Sequence, residues 1–91
     1  MKQHELKTIN PHFGFVFCGQ KTFELRKNDR GFKVGDSLLL KEWDDANKFY
    51  TGREVSADIT HILGGGEYGL LLGNVILSLG NVKKYPGPMF V

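Results

Sequence analysis

The chain has 91 residues, 41% apolar and 24% charged, with a formal net charge of +2. That is one domain near the lower size limit for folding without staples, which excludes a two-domain arrangement and any deep substrate tunnel. No run approaches the ~18 apolar residues of a membrane helix, no hydrophobic signal region follows Met1-Lys2-Gln3-His4-Glu5, and the single Cys18 excludes an internal disulfide and a multi-thiolate zinc site. A cytoplasmic, monomeric protein without cofactor or metal is therefore expected.

Glu5-Leu6-Lys7-Thr8-Ile9 alternates polar and apolar, as a half-buried strand does. Asn10-Pro11 then starts a helix: asparagine supplies an acceptor for the free amides of the first turn, and proline occupies a position whose N–H is unbonded anyway. Phe13, Val16 and Phe17 form its apolar stripe and Gly19 closes it after roughly eight residues, too few to persist without packing. Cys18, in that apolar helix, is expected to be a buried, inert thiol. A second strand follows from Lys21 to Lys27, with Phe23 and Leu25 on one face and Thr22, Glu24 and Arg26 on the other. Turns at 28–31 and 34–36 lead to a third strand over Ser37–Trp43, and a polar loop at 44–48 precedes a long strand from Tyr50 to Leu63 that bulges near Thr60. Gly64-Gly65-Gly66 opens a flexible loop that reads as a mobile lid, and Asn74–Leu79 is the last strand. Residues 81–91, with two lysines and Pro86-Gly87-Pro88, are expected to form a loosely ordered tail. The pattern predicts an α+β, mainly β domain over residues 1–80: a small barrel of about five strands with one short helix near the N-terminus.

The net charge conceals a polarised chain. Residues 1–33 carry seven Lys/Arg against three Asp/Glu, residues 34–80 three against seven, and residues 81–91 two against none. Lys21, Arg26, Lys27, Arg30 and Lys33 fall within thirteen positions. Such a cluster suits either a solvated strand and turn or an anion site.

The string Gly19-Gln20-Lys21-Thr22-Phe23-Glu24-Leu25-Arg26, followed by Phe32-Lys33-Val34-Gly35-Asp36, resembles the ASCH superfamily of PUA-like domains, and within it a small bacterial and phage subfamily of unknown function. His4-Glu5-Leu6-Lys7, Trp43 with its acidic loop, Tyr50-Thr51-Gly52-Arg53 and Thr60-His61-Ile62-Leu63 extend the resemblance over about residues 4–79. It implies a PUA-like barrel, association with RNA, and in some members hydrolysis of acetylated cytidine. It also implies that Lys21, Glu24 and Arg26 occupy a polar cleft beside the helix. Where the amidohydrolase-like members have a threonine proposed as nucleophile this chain has Glu24, and carboxylate attack on an amide would pass through an unstable anhydride.

On one face of a strand, Glu24 and Arg26 stand about 7 Å apart, so both can meet one ligand or pair with each other. Arginine offers a planar donor fork for phosphate or a base edge, and glutamate accepts from an exocyclic amine such as that of cytosine or guanine. Lys27, Arg30 and Lys33 would add phosphate contacts, and Trp43 could stack on a base or pack in the core. His4, His12 and His61 lack the spacing of a metal pair. Three functions follow as expectations: a noncatalytic RNA- or nucleotide-binding module using Lys21, Glu24, Arg26, Lys27, Arg30, Lys33 and Trp43; a small amidohydrolase on a nucleoside such as N4-acetylcytidine, with Lys21 and Glu24 in catalysis; or a protein-interaction barrel.

Overall fold

Alternation carries the first strand as expected: in β1 (Gln3–Ile9) His4, Leu6 and Thr8 are buried while Gln3, Glu5, Lys7 and Ile9 face outward. The computed structural model describes residues 1–87, and after β1 the chain forms α1 (His12–Phe17), β2 (Phe23–Lys27), β3 (Ser37–Asp44), β4 (Phe49–Gly64) and β5 (Asn74–Tyr85). The strands make one curled sheet in the order β1-β3-β4-β5-β2. β1 and β3 are parallel, which requires a crossover, and α1 and β2 lie within that connection; the other pairs are antiparallel. The result is a mainly β half-barrel with its two edge strands, β1 and β2, at the open side.

Leu6, Leu38, Leu40, Val55, Ile59, Val75 and Leu77 line the concave face, and Phe13 and Val16 of α1 insert into them. Burying Phe13 completely contributes roughly 1.5–3 kcal/mol, which is what holds a helix too short to form alone. The helix is six residues long, shorter than expected. Its start is fixed by Asn10, whose side-chain oxygen accepts the Gly14 N–H at 2.9 Å, and its end by Gly19 at φ +84°. Cys18 is exposed, not buried: it follows the last helical residue, off the Phe13–Val16 stripe.

The two faces expected of β2 are kept, and it is the polar one that turns inward: Glu24 is buried and Phe23 and Leu25 are exposed. The inward side of this edge strand looks onto the open seam, where polar partners await, and not onto the apolar core. β5 continues through Tyr85, so residues 81–85 are not a loose tail. Val55 and Ser56 of the long β4 pair with Lys84 and Lys83, and a register shift between Ser56 and Asp58 absorbs the Gly80-Asn81 interruption. Residues 88–91 of the expected tail lie outside the described residues. The bulge expected near Thr60 is present as a register shift between Ile59 and His61. Among the described residues no helix is long and apolar enough to cross a membrane.

Candidate functional site

Strand β1 leaves half of its backbone groups without a strand partner. The Lys2 carbonyl accepts from Ser37 of β3, so by alternation the backbone groups of Glu5 and Lys7 point the other way, into the open side. Two arginines meet them there. Arg26 donates from both terminal nitrogens to the Lys7 carbonyl at 3.3 Å and from Nη2 to Thr8 Oγ1 at 2.9 Å, and Arg30 donates from Nη1 to the Glu5 carbonyl at 3.0 Å. Guanidinium groups thus bridge β1 to β2 and to the turn after it, where a ladder is missing.

The inward polar face of β2 puts Glu24, only 2% exposed, at the base of this seam. Arg26 Nε donates to its Oε2 at 3.1 Å, and Lys21 Nζ approaches Oε1 at 3.5 Å. A buried carboxylate would be costly without such partners, and here one is partnered on both oxygens by cations that stay in reach of water. Lys21, Glu24 and Arg26 therefore converge, and they line one open hollow of about 270 Å³ together with Lys7, Thr8, Ile9, His12 and Leu25. Its chemistry is mixed: an anion at the base, cations around it, a hydroxyl, an imidazole, and two apolar walls.

The other residues singled out in the sequence lie apart from this hollow. Lys27 is exposed at the end of β2. Arg30 and Lys33 border a second depression of about 410 Å³ with Lys2 and Asp36. Trp43 packs edge-on against Tyr50 at 4.8 Å, beneath the Lys7 ammonium at 4.3 Å, and lines a third depression with Asn10, Glu42 and Asp44. The glycine loop after β4 does not border the Lys21–Glu24–Arg26 hollow.

Lys7, Thr8, Ile9 and His12 escaped the sequence reading, although they mark the end of β1 and the start of α1, a place where strand and helix termini commonly form sites. Two supporting clusters escaped it as well. Glu42, buried on β3, accepts from Arg53 Nε and Nη2 at 2.8 and 2.7 Å and from Asn10 Nδ2 at 2.6 Å. The Arg53 hydrogen bond, resisted by burial and aided by Thr51 and Asn10, lowers the Glu42 carboxyl from its usual 4.5 to about 2. Because Asn10 also holds Gly14, this carboxylate fixes the start of α1, and with it His12 at the hollow. At the other end of β1, His4 Nε2 meets Asp36 Oδ2 at 2.9 Å, and the Lys2 and Lys33 amides also donate to that carboxylate; the His4 contact first and these amides next hold its pKa below the ordinary range. Glu42 and Asp36 hold the scaffold of the seam, while Glu24 faces its solvent-open hollow. Among the described residues no group of three or more potential metal ligands occurs.

Comparison with known proteins gives the chain a family. Over 61 residues, 67% of its length, the chain is 43% identical to an uncharacterized 12.9 kDa protein in the GpA 3′ region of Escherichia phage P2, and the match covers 54% of that relative. The chain thus spans about half the length of the curated relative it matches. Residues 3–79 match the model of a family described as a domain of unknown function, DUF3850, so the chain belongs to the DUF3850 family.

Proposed function

We propose that this domain is a noncatalytic PUA-like module of the ASCH kind that binds RNA or a nucleotide in the hollow at Lys21, Glu24 and Arg26. The observation that carries this reading is the buried Glu24 carboxylate, flanked by two cations, at the base of a hollow open to solvent. A carboxylate in that place accepts from an exocyclic amine of a base, the cations suit phosphate, and Ile9 and Leu25 offer apolar surface to the base faces. At about 270 Å³ the hollow sits just below the ~300–1,000 Å³ usual for ligand pockets, which suits one nucleotide. The test is titration of the protein with short RNAs at two salt concentrations, repeated with Lys21→Ala and Glu24→Gln. Salt-sensitive binding that both variants weaken supports the reading; binding that neither variant changes, or none at all, overturns it.

One observation keeps an amidohydrolase on N4-acetylcytidine as the second reading: the Thr8 hydroxyl, buried yet lining the same hollow as Lys21. Thr8 donates to the Leu6 carbonyl at 3.3 Å and accepts from Arg26, so no base takes its proton, and the binding reading leads. Incubation with N4-acetylcytidine separates the two: deacetylation above that of Lys21→Ala and Thr8→Val would make the domain an enzyme.

A further inference from the structure

The seam between β1 and β2 does not end at the first hollow. It continues along β1 to the depression lined by Lys2, Arg30 and Lys33 at the opposite end of the strand. From Thr8 back to Lys2 is six residues, or about 20 Å of extended strand. Over that length the open side presents the guanidinium groups of Arg26 and Arg30, and the outward Glu5 and Lys7 N–H groups point into the gap, where no neighbouring strand lies to accept them. The acids near this path are mostly engaged elsewhere. Glu5 turns to Lys41 at 3.5 Å, and the Asp36 carboxylate accepts from His4 and from the Lys2 and Lys33 amides, so that among the described residues the carboxylates beside the arginines are Glu24, 3.1 Å from Arg26 at the base of the first hollow, and Asp29, 3.9 Å from Arg30.

A free nucleotide would use only the first hollow and leave this row of donors idle. We propose that the ligand is a single-stranded stretch of RNA: one base enters the Lys21–Glu24–Arg26 hollow, and the sugar-phosphate backbone follows the open edge of β1 to the depression at Lys2, Arg30 and Lys33. This rests on the reading that the first hollow takes a nucleotide, and adds to it the length and path of the ligand. About 20 Å accommodates on the order of four nucleotides, the lower end of the ~4–16 found for small barrel folds. Phosphates would accept from the lysines and outward amides along the edge, contacts that position a strand without reading its sequence. A duplex is disfavoured by the same geometry, because a base must be flipped out of its stack to reach Glu24, at a cost of roughly a few kcal/mol.

The test compares CMP and GMP, by calorimetry, with mixed-sequence RNA tetra- and octanucleotides and an octamer duplex, by fluorescence anisotropy, on the full chain. Lys2→Ala/Lys33→Ala is the informative variant, since both side chains are exposed and neither lines the first hollow. The single-stranded octamer is expected to bind at least about tenfold more tightly than either mononucleotide, and the duplex more weakly than the single strand. In the double variant the mononucleotide affinity is expected to be unchanged and the advantage of length lost, with a log–log salt slope shallower by about 1.4, or ~0.7 for each of two phosphates released. Mononucleotides binding as tightly as the octamer, a duplex binding as well as the single strand, or an octamer affinity untouched by the double variant would overturn the path along β1 while the nucleotide hollow stands. Absence of binding by mononucleotides and oligonucleotides alike would remove both.

Discussion

Replacing Glu42 by glutamine keeps the side-chain shape and removes the charge on which Asn10, Thr51 and Arg53 converge. The native partners, Arg53 first, bring this carboxyl from 4.5 to about 2. At ~1.36 kcal/mol for each tenfold change in proton affinity, that preference for the ionised form contributes roughly 3 kcal/mol to folding. Solvent screening at Arg53, whose side chain is 39% exposed, reduces the figure to about 2 kcal/mol. A carboxyl with a depressed folded pKa contributes in full above its unfolded value and loses its contribution as pH falls through the folded one, so the window runs from about pH 5 to pH 2. Urea unfolding at pH 7 is expected to show Glu42→Gln less stable than the native chain by about 2 kcal/mol, and at pH 2.5 by under about 1 kcal/mol. Asp36 and Asp45, also lowered by their hydrogen bonds, tilt the pH dependence of both proteins alike. An equal gap at the two pH values would refute the assignment of this stability to the charge on Glu42.

Arg26→Ala takes one cation from the buried Glu24 and the staple from Lys7 and Thr8; a loss of about 2–3 kcal/mol is expected, with faster hydrogen exchange in β1, and unaltered β1 protection would contradict the bridging role. Gly65→Ala drives a Cβ into the Leu71 carbonyl and to 2.8 Å from that of Asn74, whereas a Cβ at Gly64 meets nothing within 4 Å. Gly65→Ala is therefore expected to cost ~1–3 kcal/mol and Gly64→Ala under about 0.5 kcal/mol in thermal unfolding, and equal effects would show that the loop is not packed as described. Cys18, exposed after the helix, is expected to react with Ellman's reagent as completely in native buffer as in urea; a thiol that reacts only in urea would contradict its placement.

β1 and β2 were legible because they alternate at a period of two, β3 and β5 because they are short apolar runs between turn formers, and the helix because Asn10-Pro11 and Gly19 bracket a stripe of aromatic and branched residues. What periodicity cannot give is the side on which a strand's polar row lies. For β2 the ordinary expectation of apolar inward fails, because its inward neighbours are Thr8 and the open edge of β1, which stand far from it in sequence and reach it only through the parallel β1–β3 pairing. Glu24 and Arg26 stay together because they share one face of β2 whichever way it turns, and Lys21 joins them from the segment before the strand, reaching Glu24 Oε1 at 3.5 Å. Trp43, Lys33 and Arg30 carry similar chemistry but are separated from that face by the direction of β3 and by the turn after β2. The extension of β5 was hidden for a related reason: Gly80-Asn81 reads as a stop, and only the unusual length of β4 supplies the partner that carries the strand past it.

The two bridging arginines also bear on how this molecule coexists with its own copies. An edge strand whose carbonyls are vacant is a template for another chain, and β2 compounds the hazard by turning Phe23 and Leu25 to solvent. With the Glu5 and Lys7 carbonyls already occupied by guanidinium groups, an intruding strand finds half the ladder taken and a pair of charges to displace. The cations that close the seam thereby act as sentries against aggregation, so a neutralising change at either one weakens solubility as well as the fold.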